Sequence, residues 1–254
     1  MKIIASVFIL IFICGCNSGI TKSGRTGHAS PAAKVLTTEE KKHLATTTLY
    51  YVEQFSEADV NNCAETDKKN LLTRKNQLLV RVCKKVFDSC LMEGTCLVSI
   101  KNKIAMLNVD GLLNGIRRFR DITGNECKYG RGASSDSKKM YKSMCVDPFY
   151  SVAADLKIYN LGDVIYLPAV RGVVLPNGEI HDGYFIVRDA GGGIEGEGRF
   201  DFFTGLYTSS TLNNPFTKLK LNGLQTFPEY VLIEGAEADQ MRQQRNFPLL
   251  PLKK

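Results

Sequence analysis

Apolar positions along the chain alternate over short stretches almost everywhere except at the start. Ile3–Ile13 is a nearly unbroken apolar run behind Lys2. A bilayer span takes roughly 20 apolar residues, so this run has the length of an export-signal core and is set aside from the fold. From Asn17 to about residue 36, Ser, Gly, Thr and Lys dominate without apolar periodicity, which predicts a flexible linker. Thr46–Val52 is β-branched and aromatic and predicts a first strand. Leu71, Leu72, Leu78, Leu79, Val82 and Val86 recur at spacings that predict a helix over residues 67–87. A strand or hairpin is expected at Leu97–Leu107, and a long loop over residues 125–142, rich in Gly, Ser, Lys and Asp. Two short strands follow, within residues 149–155 and 164–167. Next comes a hairpin through Leu175-Pro176-Asn177-Gly178. Asp182–Asp189 reads as a strand, extended structure resumes at Phe200–Phe203, and Tyr230–Ile233 is a last strand. Residues 240–254 are basic, carry Pro248 and Pro251, and are expected to be a mobile tail.

Composition narrows the picture. The chain has 254 residues, a formal net charge of +7 and no Trp. Signal and linker removed, enough chain remains for one domain with a real core. A positive balance suits an acidic partner or simply solvates the surface. An exported chain meets a carboxylate-bearing wall rather than nucleic acid, so no nucleic-acid partner is expected. Of eight cysteines, Cys14 and Cys16 belong to the signal region; the other six predict disulfides in an exported protein. Were the helix to run through Cys90, Cys83 and Cys90 would be about 10.5 Å apart, beyond disulfide reach. There is no Cys-x-x-Cys pair, and His28, His43 and His181 are scattered, so neither a metal site nor a cofactor is expected.

The chemistry concentrates in His181–Gly205, HDGYFIVRDAGGGIEGEGRFDFFTG. Asp182, Asp189 and Asp201 sit beside apolar residues, and Gly191, Gly192, Gly193, Gly196 and Gly198 permit a tight loop between the last two. Glu93, in Met92-Glu93-Gly94-Thr95, is a further acid for a cleft or else a turn residue. A Ser-His-Asp triad is unattractive, because His181 and Asp182 are neighbours and adjacent strand side chains point to opposite faces. Carboxyl-driven glycan cleavage fits better. Hydrolases usually need two carboxylates. A lytic transglycosylase needs one, since the sugar's own 6-hydroxyl attacks C1 as a positioned nucleophile. Apolar surroundings and neighbouring acids raise a carboxyl pKa toward what an acid catalyst requires.

The same stretch resembles the 3D, or three-aspartate, domain of the MltA-type lytic transglycosylases, whose pattern reads approximately H-D-G-Y-F-x-x-x-D-x-G-G-A-I-K-G-x-x-x-x-D-x-F-x-G. His181, Asp182, Gly183, Tyr184, Phe185, Asp189, Gly191, Gly192, Ile194, Gly196, Asp201, Phe203 and Gly205 match it. Gly193 stands for alanine and Glu195 for lysine. Similarity extends over roughly residues 45–235, with Asp155, Leu161, Gly162, Tyr166 and Pro168 matching a second pattern. The resemblance implies an all-β fold with minor helix, a six-stranded double-psi β-barrel over residues 37–238. It implies cleavage of the MurNAc–GlcNAc β-1,4 bond of peptidoglycan to leave 1,6-anhydro-MurNAc. Asp182 is expected as the general acid, Asp189 and Asp201 as its network, and Glu93, Tyr184, Gly191 and Gly192 as substrate contacts. The alternative is a non-catalytic wall-binding barrel. Ile13-Cys14-Gly15-Cys16 resembles a bacterial lipobox with Cys16 lipidated. Signal 1–16, linker 17–36 and tail 239–254 would then flank an envelope domain anchored by lipid to an outer membrane and facing the periplasm, or secreted if the lipobox is not used.

Overall fold

A computed structural model describes residues 41–133, 144–206, 214–221, 223 and 227–252. The signal, the linker, Cys16 and the centre of the long loop lie outside the described residues.

The chain opens with β1 (Lys42–His43) and β2 (Thr48–Phe55), then a short helix α1 (Glu57–Asn61) capped by Ser56 in a reciprocal pair with Asp59. A hairpin of β3 (Lys68–Leu72) and β4 (Leu78–Cys83) leads into α2 (Lys84–Glu93), β5 (Thr95–Ile100), β6 (Lys103–Leu113) and β7 (Ile116–Asp121). After the long loop come β8 (Ser151–Ala153), β9 (Val164–Tyr166), β10 (Tyr184–Asp189) and β11 (Asp201–Leu206). The chain ends with α3 (Pro215–Lys218), β12 (Glu229–Ile233) and α4 (Gly235–Gln244).

Two sequence expectations are corrected. The helix over residues 67–87 is a β-hairpin followed by a later helix. Leu71, Val80 and Val82 face inward at strand spacing. The apparent helical period arose from two strands joined by Thr73–Gln77. Thr73 Oγ1 accepts from the amides of Lys75 and Gln77, and Asn76 takes φ 59°. The six-stranded double-psi barrel does not form either. Ten strands run in the open order β1-β12-β9-β10-β8-β11-β2-β5-β6-β7, with β3–β4 as a separate ladder. β1 is only two residues long, the chain leaves the ladder between His43 and Thr48, and β5–β7 extend the sheet beyond β2.

β10 lies between antiparallel β9 and parallel β8, buried on both faces. Phe185 and Val187 enter one core with Phe200, Phe202 and Phe216. Tyr184 and Ile186 enter another with Ala238 and Met241 of α4. The expected boundary at 238/239 therefore falls inside a helix that covers the sheet. Beyond it, the fully buried Arg188 donates to the carbonyls of Arg245, Pro248 and Leu249, and to that of Cys145, with its guanidinium over the Phe247 ring. Residues 245–249 are thus part of the fold, held by a cation that satisfies itself on backbone oxygens.

The predicted cysteine chemistry takes the form Cys63–Cys83, Cys90–Cys96 and Cys127–Cys145. The first two staple α1, β4, α2 and β5 around the core of Leu71, Val82, Val86, Val98 and Phe119. Cys63–Cys83 closes a sequence separation of 20 residues, worth about 3 kcal/mol on loop-closure grounds. Replacing both by Ser should lower the Tm by about 6–12 °C in a thermal melt, and an unchanged Tm would contradict the stapling role.

Candidate active site

β8 sets the site. Its Ala153 pairs with Asp189 of β10 on one side and with Asp201 of β11 on the other. Residues directly opposite in a ladder share a face, so both acids stand on one face of the sheet, two strand spacings or roughly 9–10 Å apart at the backbone. Ala153 between them is too small to fill the gap. The face opens into a cavity of about 870 Å³ lined by Asp189, Asp201, Ala153, Tyr50, Glu93 and Gly191–Gly193, among others.

Glu93 arrives from the opposite wall as the last residue of α2. Gly94 follows at φ 78°, a left-handed cap that favours glycine. Asn108 Nδ2 fixes that corner, donating to Gly94 O at 3.2 Å, Thr95 Oγ1 at 2.7 Å and Arg131 O at 3.3 Å. The glycine loop is anchored behind the cavity. Asp155 Oδ2 accepts from Gly196 N at 3.0 Å, and Tyr159 OH accepts from Gly198 N at 2.9 Å. A Cβ on Gly198, φ 71°, would lie 2.4 Å from His43 O, so the close approach requires glycine. Glu195, in the place of the pattern's lysine, points outward and pairs with Lys157 at 3.6 Å.

Electrostatically, Asp189 leads. Its Oδ1 accepts from Ala190 N at 2.8 Å and its Oδ2 from Tyr50 OH at 3.2 Å. The residue shows some surface to the cavity, but its carboxyl is enclosed by protein. Burial pushes its pKa up to about 6, outweighing the hydrogen bonds from Ala190, Tyr50 and Ala133 and helped by the charge of Asp201. Glu93 is pushed up to about 7, by burial first and then by Glu53 and Asp201. Asp201 is also raised by burial, against Thr48 and Arg199, and its buried Oδ1 has no hydrogen-bond partner among the described residues. Tyr50, which packs on Phe203 at 5.0 Å, is held well above its ordinary pKa by burial and by the three acids, so its hydroxyl stays a donor. A carboxyl that titrates near pH 6, with a fixed donor to stabilise its anion, can give and recover a proton. No group of three or more His, Cys, Asp or Glu side chains among the described residues could hold a metal ion.

Asp182 and Tyr184 stand elsewhere. Asp182 Oδ1 accepts from Tyr184 N at 3.0 Å, and Oδ2 faces Arg245 Nη2 at 3.5 Å. Tyr184 OH donates to Glu237 Oε1 at 2.6 Å on α4. His181 is fully buried; its Nδ1 accepts from Gly183 N and its Nε2 donates to Phe149 O. Burial lowers its pKa to about 4, so it is neutral and makes no ion pair with Asp182. The sequence motif thus divides. Its first aspartate and tyrosine tie the sheet to the C-terminal helix and segment, while Asp189, Asp201 and the glycines line the cavity. Sequence reasoning missed Tyr50 and Asn108 as cavity residues. Tyr50 read only as a strand aromatic, and an Asn inside a strand carries no local signal of the corner it holds.

Residues 150–211 match the family model of the 3D domain. Among solved structures, the chain is similar to E. coli MltA with bound chitohexaose, at 10% identity and TM-score 0.44, covering 75% of this chain and 72% of that one. It is also similar to the membrane-bound lytic murein transglycosylase from Agrobacterium tumefaciens (11% identity, TM-score 0.45, 80% and 78% covered). MltA from Neisseria gonorrhoeae gives 11% identity, TM-score 0.44 and 76% and 73% covered. A search of curated proteins finds no match.

The raised Asp189 pKa carries a stability consequence. The folded protein binds this proton more tightly than the unfolded chain, whose carboxyl titrates near 3.9. The group's contribution is therefore intact below about pH 4 and is lost as pH rises through about 6. At pH 7.5 the ionised carboxyl costs about 1–3 kcal/mol. Asp189→Asn should raise the Tm by about 3–8 °C at pH 7.5 and change it little at pH 4, read by thermal melts at both pH values. A lower Tm at pH 7.5 would make Asp189 a structural ion instead.

Proposed function

We propose that this chain is a lytic transglycosylase of the cell envelope. It would cleave the MurNAc–GlcNAc β-1,4 bond of peptidoglycan and leave 1,6-anhydro-MurNAc, with Asp189 as the general acid and base. The observation that carries the reading is the enclosed Asp189 carboxyl, pushed up to about 6 and held by the Tyr50 hydroxyl and the Ala190 amide, in a glycan-sized cavity. The match of residues 150–211 to the 3D domain supports it. Asp182, the acid expected from sequence, is engaged with Arg245 away from that cavity.

The steps follow from the geometry. Protonated Asp189 delivers its proton to the glycosidic oxygen as the C1–O bond breaks. Tyr50 OH, already donating to Asp189 Oδ2, steadies the carboxylate so formed. Positive charge developing at C1 and the ring oxygen faces Asp201 on the cavity wall, while Glu93, pushed up to about 7 and so still protonated where Asp189 is, offers a hydrogen bond to the sugar. The MurNAc 6-hydroxyl attacks C1, and Asp189 takes its proton, which restores the starting state. The orphaned Asp201 Oδ1 is an acceptor suited to a sugar hydroxyl, and Gly191 and Gly192 leave room for the sugar ring. No cofactor enters the cycle.

The alternative of a non-catalytic glycan-binding module keeps the cavity but has no use for an acid held near pH 6. The organisation around the domain belongs to the same proposal. Residues 1–16 direct export, Cys16 receives the lipid, residues 17–36 tether, and the envelope membrane holds the anchor facing the periplasm.

Digestion of purified peptidoglycan with analysis of chain ends tests the chemistry. Anhydro ends are expected. The wild-type kcat/KM should fall about tenfold per pH unit above about 6, because the acid form is being lost. Asp189→Asn should lose about 10²–10⁴-fold in rate, whereas Asp182→Asn should keep most of it. Reducing ends in place of anhydro ends would make the chain a hydrolase. An inactive Asp182→Asn beside an active Asp189→Asn would overturn the assignment of the acid.

A further inference from the structure

The catalytic acids occupy only part of the cavity. Its far wall, built from the β3–β4 turn and the β6–β7 hairpin, carries Arg74, Arg117 and Arg120, while Arg131 and Arg199 lie nearer the acids. Three of these five are committed. Arg117 donates to the carbonyls of Leu91 and Met92, Arg131 to Asn125 and Glu126, and Arg199 to Thr48 and the Phe200 carbonyl. Two are left over. Arg74 is exposed and makes no hydrogen bond or ion pair among the described residues. The turn that presents it is ordered by Thr73 Oγ1 and tied to β7 through Arg118 Nη2, which donates to Asn76 Oδ1 at 3.2 Å. Arg120 makes one long ion pair, with Asp110 at 3.8 Å, and its buried Nε has no hydrogen-bond partner among the described residues.

In stem-bearing peptidoglycan the lactyl carboxyl of MurNAc is consumed in the amide bond to the peptide, so the sugar backbone itself is uncharged and needs no cation. The charge of peptidoglycan sits on the peptide stems, which leave the lactyl group of MurNAc and carry free carboxylates. We propose that Arg74 and Arg120 bind these stem carboxylates, so that the preferred substrate is peptide-bearing glycan rather than stripped strands. This rests on the transglycosylase reading for the kind of polymer. Met92 and Leu112, 73% and 61% exposed on the same wall, offer apolar contact to small side chains of a peptide, which a free anion would not use. Arginine suits the task because its planar fork matches a carboxylate.

The test is binding without turnover, by isothermal titration of the Asp189→Asn chain. Three soluble glycan oligomers are compared: stem-bearing, stripped by an amidase with the lactyl carboxylates it frees then amidated, and stem-bearing with the stem carboxylates amidated. Stripped and amidated oligomers should bind about tenfold more weakly, as two half-exposed charge pairs would give. Adding Arg74→Gln and Arg120→Gln should cost about tenfold on the stem-bearing oligomer and several-fold less on the stripped one, with the Tm of the variant showing that it folds. Stripped oligomer binding as tightly as stem-bearing oligomer overturns the proposal. So does an equal loss on both oligomers, or an amidated oligomer that binds like the native one. If wild type cuts no glycan while stem-bearing oligomer is still preferred, the transglycosylase reading fails and the arginine assignment stands.

Discussion

The site depends on the pairing of three-residue β8 between β10 and β11. That pairing makes one row of Asp189, Ala153 and Asp201, because residues opposite one another in a ladder cannot point to different faces. In β10 the register shifts between Val187 and Asp189, which takes Asp189 off the core face that Phe185 and Val187 fill. The opposite face of the sheet fixes the register as well. Phe185, Val187, Phe200 and Phe202 fill the core from the same strands and their approach, so moving the acids would expose four large apolar groups at about 1.5–3 kcal/mol each. Packing thus enforces an arrangement that electrostatics alone disfavours.

That unfavourable arrangement is what makes the chemistry possible. Burial pushes all three cavity acids toward neutrality, joined by like charge at Glu93 and Asp189, which in a purely structural setting would be a defect. Three supports hold them there. Tyr50 and the Ala190 amide orient Asp189. The Asn108 corner fixes the end of α2 that bears Glu93. Arg188, one residue before Asp189, fastens β10 from the opposite side to the chain end at residues 245–249. The C-terminal segment therefore serves the site without touching it.

Much of this was legible in the chain, and the failures have physical causes. Strands flagged by aromatic and β-branched alternation formed, including β2, β5–β6, β8–β9, β10 and β12. The hairpin before Asp182 formed through Gly178 at φ 82°. Residues 67–87 misled because two short strands and a five-residue turn mimic a helical period when read without the turn chemistry of Thr73 and Asn76. The barrel expectation failed because a motif of some 25 residues says nothing about where a sheet ends. Within the motif, the second and third aspartates reach the cavity and the first does not. Nothing in HDGYF announces Arg245, some 60 residues on, as the partner of Asp182. A basic tail with two prolines reads as loose. It takes the three-dimensional position of the buried Arg188, which finds its acceptors on that segment's carbonyls, to see why it is held.

The central claim is that one enclosed carboxyl holds its proton to near neutrality. It is tested most directly by following the side-chain carboxyl ¹³C resonance of Asp189 across a pH titration, assigned by comparison with Asp189→Asn. The account predicts an inflection near pH 6 for Asp189. An inflection for Asp189 at or below the ordinary carboxyl value of about 3.9 would mean that it is a permanent anion at neutral pH, and the acid catalyst would have to be sought elsewhere.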